Sequence, residues 1–365
     1  MAGRPGSTGI ACPARRVVSG KSLAAAPHAG AVAFIHWKAP GSVAAGRAEQ
    51  KAFARDAGRD SGESVPQWIG WGRAYFALQS LAGALWWAAV AVSPTVRTAT
   101  LGNLDPALVA VFDIPLFVVG SAAAAAGGRA AAAVVAAWST IVTIALGAYA
   151  TVTMQAGTGV LIMAAAAAGS TAALCLACWG RIPVEWIIRG PFAFRPARQR
   201  DARFHVAATF GQIIIFWGFF LGLLPLFLDF LERRWGLAAD FPQAAGAAGL
   251  VILVLASALG IWSAISMSTV GKGTPLPAAM ATTLVVAGPY RWIRNPMAVA
   301  GVVQGAAVGF MLHSWFVVGY AVLGSLVWNY AVRPLEEADL KARFGSAFEA
   351  YREAVPCWLP SFRRV

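Results

Sequence analysis

Ala245–Met267 reads AGAAGLVILVLASALGIWSAISM, a stretch without one charged side chain. At 1.5 Å per residue, about 20 such residues cross the hydrocarbon of a bilayer. A soluble helix this uniformly apolar would have no face for water. The same texture recurs in Ala74–Val92, Pro106–Ala126, Ala130–Thr153, Gly157–Trp179 and His205–Phe230. A further apolar stretch, Met297–Val332, is broken near His313-Ser314 into pieces of about 15 and 18 residues, the first short for a crossing. The break predicts a compact helical hairpin. The expected fold is all-α: a polytopic transmembrane protein of about eight helices, ending in that hairpin.

Composition agrees. The 365 residues are 58% hydrophobic and 12% charged, against about 25% charged in soluble domains. That charge cannot cover a soluble protein of this size, so lipid is the expected solvent. The net charge of +13 would suit nucleic acid or an anionic membrane surface. The charges lie almost entirely between apolar segments, which excludes nucleic acid and leaves membrane lipids as the partner. With the N-terminus placed in the cytosol, 26 of the 29 Lys and Arg fall on the cytosolic side; only Arg97, Arg233 and Arg234 fall outside. The positive-inside rule then predicts a multi-pass protein of the cell (inner) membrane with both termini cytosolic.

The chain divides into three parts. Residues 1–65, rich in Gly, Ala, Arg and Pro and with Glu49 as the first acid, read as a disordered tail. Residues 66–200 form a four-helix transmembrane region, and residues 201–365 a second membrane domain. The basic stretch Arg181–Arg203, with Pro183, Pro191 and Pro196, reads as the linker between them. Cys175 and Cys178 form a C-x-x-C inside an apolar helix with no second pair and no His pair, so no metal site is expected. Asp113 lies inside the second span, where an ionisable group is a functional hypothesis. Gly301, Gly305 and Gly309, spaced by four, share one face of the hairpin's first helix and predict close packing.

Two stretches carry chemistry. Gly271-Lys272-Gly273-Thr274-Pro275 runs on through Leu284-Val285-Val286-Ala287-Gly288-Pro289-Tyr290-Arg291-Trp292-Ile293-Arg294-Asn295-Pro296-Met297. Dense Gly and Pro make this irregular backbone, which at a membrane needs partners in protein, water or a ligand. After the hairpin comes Arg333-Pro334-Leu335-Glu336-Glu337. Leu340, Phe344, Phe348 and Tyr351 follow in one apolar stripe, predicting a cytosolic amphipathic helix laid over the loop as a lid. Paired glutamates beside an anionic lipid surface point to a bound cation.

These residues resemble the isoprenylcysteine carboxyl methyltransferase family, in its bacterial membrane subgroup, and more distantly phospholipid N-methyltransferases. The resemblance covers about residues 205–360. It rests on Gly288-Pro289-Tyr290-Arg291 leading into Arg294-Asn295-Pro296, then Glu336-Glu337, Phe344-Gly345, Tyr351 and Val355-Pro356 through Pro360. It implies S-adenosyl-L-methionine bound at the cytosolic membrane edge and a lipid-linked or hydrophobic small-molecule acceptor. Cofactor contacts would fall on Leu284, Val285, Tyr290, Asn295, Pro296, Glu336 and Glu337; Arg294, Asn295 and Arg333 would stand at the reacting groups. Two positions depart from the family pattern: Asn295 stands where it has His, and Ala298 where it has Tyr. Its substrate arginine falls at Val332, next to Arg333. Asn is no general base, so the expected acceptor is one that is already ionised, a carboxylate or a thiol. Three alternatives stay open: a phospholipid amine methyltransferase, a membrane reductase on the same scaffold, and a non-enzymatic transporter or assembly protein.

Overall fold

The computed structural model describes residues 65–186, 197, 201–274 and 280–360. The tail read from residues 1–65, apart from Val65 at the start of the first helix, and most of the Arg181–Arg203 linker lie outside the described residues.

Among the described residues, ten helices carry the fold: α1 Val65–Val92, α2 Pro94–Leu101, α3 Pro106–Ala125, α4 Arg129–Thr153, α5 Gly157–Trp179, α6 Arg203–Arg234, α7 Ala245–Thr269, α8 Pro296–Leu312, α9 Trp315–Phe344 and α10 Ser346–Ala354. Among the described residues, seven helices are long and apolar enough to cross a membrane, and α8 is a shorter apolar one. Large side chains such as Leu85, Ile144, Ile214 and Leu255 point outward, as lipid allows. The inside is built from small residues. On α7 the buried positions include Gly249, Ala256, Gly260, Ser263 and Ala264. Lipid tails are as apolar as leucine, so helices hold together in a membrane by such close backbone contact.

Three of the long helices contain a π-turn, at Ile114–Val119, Gly218–Leu223 and Trp328–Val332. Each has a proline in it or within two residues after it: Pro115, Pro225 and Pro334. Proline removes one N–H from the helical ladder and clashes with the preceding turn. A widened turn absorbs the misfit without ending the helix.

The last of these changes the expected lid. Pro334 does not begin a separate helix; α9 runs unbroken from Trp315 to Phe344. Thirty residues span about 45 Å, against about 30 Å of hydrocarbon. The final stretch, with Arg333, Glu336, Glu337, Asp339, Lys341 and Arg343, therefore projects beyond the membrane-crossing part. Gly345, at φ +54, then breaks the chain into α10. The apolar stripe survives this break: Phe348 and Tyr351 of α10 form one cluster with Leu340 and Phe344 of α9 and with Leu284 and Val286 of the loop.

The hairpin packs on α7 and on α6. Its turn is held by Glu232 at the far end of α6. That buried carboxylate accepts the Ser314 hydroxyl and the N–H groups of Trp315 and Phe316, both at 3.1 Å. Three donors on one carboxylate satisfy the N-terminus of α9. Arg233 donates to the Leu312 carbonyl at 3.1 Å from the same end. Gly305 and Gly309 face α9 at near-backbone distance: a Cβ on Gly309 would meet Val318 at 2.7 Å, and one on Gly305 would meet Ala321 at 3.1 Å. Gly301, on the same face, meets nothing within 4 Å. With one end fixed this way, the other ends of α7, α8 and α9 converge on the loop that the sequence marked for chemistry.

Candidate active site

The loop between α7 and α8 folds back on the end of α7. Gly271 accepts the N–H of Thr282 at 2.8 Å, and Thr283 Oγ1 donates to the Val270 carbonyl at 2.7 Å. Gly288 takes a left-handed φ of +58 at the start of the Gly288–Arg291 turn. A side chain there would also strike the Ser266 hydroxyl of α7, so glycine is required twice over. The turn buries Tyr290 (5% exposed) against Ala281, Val285 and Met267. Tyr351 locks it from α10 by donating its hydroxyl to the Tyr290 carbonyl at 2.7 Å. The Arg294 N–H adds a second tie, to the Pro356 carbonyl at 2.9 Å.

Asn295 has two jobs. As N-cap of α8, its Oδ1 accepts the Ala298 N–H at 3.4 Å, a contact that a His side chain makes poorly. Its Nδ2 donates to Glu336 Oε2 at 3.5 Å. Pro296 follows at the first helical turn, where its missing N–H costs nothing.

Leu284, Val285, Tyr290, Arg294, Asn295, Arg333, Glu336 and Glu337 all line one pocket; Pro296 does not. The pocket is small, about 120 Å³. A cavity of about 750 Å³ lies elsewhere, among α1 to α5. The small pocket is the candidate active site because three arginines, two glutamates and an amide converge in it. Arg343, Met280, Phe344, Phe348 and Cys357 also line the pocket, outside the set of expected site residues. Arg343 closes one wall: its Nε donates to Asp339 at 2.7 Å and its Nη1 to the Ala281 carbonyl at 2.7 Å. No local pattern announces that carbonyl contact, which spans 62 positions.

The electrostatics are uneven. Arg294 Nη1 lies 3.3 Å from Glu337 Oε1, both side chains mostly buried. The angle is poor, so neither Nη1 nor Nε of Arg294 makes a hydrogen bond in the described structure. Buried donors left unmade cost stability and mark a place for an acceptor. Glu336 is pushed up to about 7, chiefly by removal from water, with Glu337 and Asp339 adding to the rise; Asn295 and Arg343 oppose it. Burial, and then Glu336, hold the Tyr290 phenol well above its ordinary range. Burial does the same for Tyr351, against the pull of Arg294. Burial also raises the Cys357 thiol, while Arg333 pulls it back.

Residues 244–347 match the family model described as phospholipid methyltransferase, a family shared with isoprenylcysteine carboxyl methyltransferase-like proteins. No curated protein matches the chain. The matched segment runs from the start of α7 into α10, so it contains the loop, the hairpin and both glutamates. Helices α1 to α5 lie outside it.

Proposed function

We propose, from a methyltransferase-family domain built into a bundle of membrane-crossing helices, that this protein is an S-adenosylmethionine-dependent methyltransferase. Its acceptor is a lipid-linked or hydrophobic carboxylate or thiol. The observation that carries this reading is the meeting of Arg294-Asn295 with Glu336-Glu337 in one pocket, with Arg294 donors still free.

The residue types suit the cofactor, and the pocket of about 120 Å³ must widen to admit all of it. A zwitterionic amino acid with a sulfonium and an adenosine needs an acid for its amino group and flat apolar walls for its base. Glu336 and Glu337 provide the acids. Tyr290, Phe344 and Phe348 provide the walls. The bound cofactor supplies a methyl group on a cationic sulfur with a neutral leaving group. Arg294 and Arg333 neutralise the anionic acceptor and hold it in line, positioning being worth several kcal/mol. No base is needed for an acceptor that arrives ionised. The excess of Lys and Arg on this side of the spans (26 of 29) supports a pocket at the cytosolic face of the inner membrane.

One observation favours a second reading, an amine acceptor: a carboxylate raised to about 7 is also poised to take a proton from an ammonium group. The two readings differ in product. Membranes incubated with the purified protein and methyl-labelled cofactor should yield label released as methanol by mild base, if a carboxylate was esterified. Label retained in an amine headgroup would replace the first reading with the second.

A further inference from the structure

The larger cavity, about 750 Å³, has nothing to do with the methyl-transfer pocket and needs its own account. The two halves of α3 pack differently. From the π-turn onward, Ile114–Ala125 packs against α1 and α4; before it, Pro106–Asp113 packs mainly on its own continuation. Leu108 and Phe112 of that first half stay exposed. A volume of about 750 Å³ is large enough for a small amphiphile.

Its lining is almost entirely apolar, with one charged side chain, Asp113. Asp113 is 5% exposed. Its Oδ2 accepts the Trp87 indole N–H at 2.9 Å and its Oδ1 the Trp138 indole N–H at 3.0 Å. Both donors are neutral, so they orient the carboxyl group and leave it to a cation to stabilise its ionised form. No Lys, Arg or His lines the cavity, and no ion pair among the described residues includes Asp113. Gln79 is satisfied within the wall, donating to Ser121 and accepting from Ser170, while the Trp86 indole N–H is buried without a partner. Trp86, Phe112, Phe117 and Trp138 line the same space. A carboxylate among aromatic faces is the chemistry that recognises an amine or quaternary ammonium. Intramembrane acids persist where a cation meets them.

We infer that this cavity binds a membrane-soluble monocation, a long-chain amine or quaternary ammonium whose head meets Asp113 and whose chain fills the apolar gap. The absence of any basic lining residue excludes a head that also carries phosphate, because its anion would be buried unpaired. Ordinary phospholipids are therefore poor ligands.

The test uses the full chain in phosphatidylglycerol nanodiscs with a hexadecyltrimethylammonium probe carrying a photoreactive group in its chain. Labelling should saturate and map to residues 108–117 and 138–149. Unlabelled hexadecyltrimethylammonium should compete at least about tenfold better than hexadecanol or phosphatidylethanolamine, a gap of about 1.4 kcal/mol. Asp113→Asn should lower labelling by a similar factor. The inference is overturned by equal competition from hexadecanol on the wild type, by undiminished labelling of a folded Asp113→Asn, or by labelling that does not saturate. The competition arm needs no variant, so a misfolded Asp113→Asn leaves the question decided.

Discussion

Asn295 Nδ2 donates to Glu336 Oε2 across 3.5 Å, joining the N-cap of α8 to the charged extension of α9. The two residues are 41 positions apart, and the hairpin between them brings them together. This bond and the Arg294–Glu337 contact both lie in the wall of the candidate pocket.

Glu336 should make cofactor binding depend on pH. Its carboxyl is raised from 4.5 to about 7, so the folded state takes up a proton that the unfolded state releases between those values. Deprotonation therefore costs stability progressively as pH rises from 4.5 through 7, and the full cost stands above 7. A cationic amino group binds the deprotonated form. Cofactor affinity should rise between pH 6 and pH 8 in the wild type and stay flat in Glu336→Gln. Thermal unfolding at pH 8 should show Glu336→Gln the more stable of the two. A wild-type binding profile as flat as the variant's would remove Glu336 from the cofactor site.

Asn295 separates its two jobs by substitution. Asn295→Ala removes the cap and the donor, lowering stability by about 1 kcal/mol and weakening cofactor binding. Asn295→Asp keeps the cap but sets a third acid beside Glu336 and Glu337. It should unfold close to the wild-type temperature, yet bind cofactor about tenfold or more weakly at pH 7, since each pKa unit added to Glu336 is about 1.4 kcal/mol. Equal binding by both variants would mean that the Glu336 contact is incidental.

Arg294 and Glu337 should couple. Arg294→Met leaves Glu337 unpaired next to Glu336, and the double variant with Glu337→Gln should recover part of the lost stability. A coupling of about 1 kcal/mol is expected for a contact of this kind. Transfer activity should not recover in the double variant, because Arg294 is assigned to the acceptor as well as to its partner. Full recovery of transfer would confine Arg294 to a structural role.

Tyr351→Phe removes the hydroxyl that ties α10 to the Tyr290 carbonyl. The loss should be about 1 kcal/mol. Hydrogen exchange should rise in the Gly288–Arg291 turn and in α10, with a higher KM for cofactor and little change in kcat. Exchange that stays at the wild-type level in both elements would mean that α10 is held by the Phe348 cluster alone.

Much of this architecture was legible in the chain, for reasons particular to membranes. Backbone polar groups in lipid must be satisfied within a helix, so a run such as Gly157–Trp179 has one available structure; that helix has the bounds read from the sequence. Other features depended on tertiary contact. Helix α2 falls between the first two apolar stretches and has no span-length pattern, yet Ser93 followed by Pro94 is a helix start and Ser93 does accept the Val96 N–H. The stripe Leu340, Phe344, Phe348, Tyr351 was legible, while its break at Gly345 was not, because the stripe keeps its phase across the turn. In the candidate site the two motifs could be found, but not that Asn295 would serve as cap and partner at once. The partners of Asp113 were invisible: Trp87 and Trp138 stand 26 and 25 residues away on other helices.

The most direct test of the account is equilibrium binding of methyl-labelled S-adenosylmethionine to the purified protein in detergent, run beside Glu336→Ala. The account expects saturable binding by the wild type, loss of about tenfold or more in the variant from one charge-assisted contact, and displacement by the demethylated product. No binding by the wild type, or equal binding by Glu336→Ala, would contradict it.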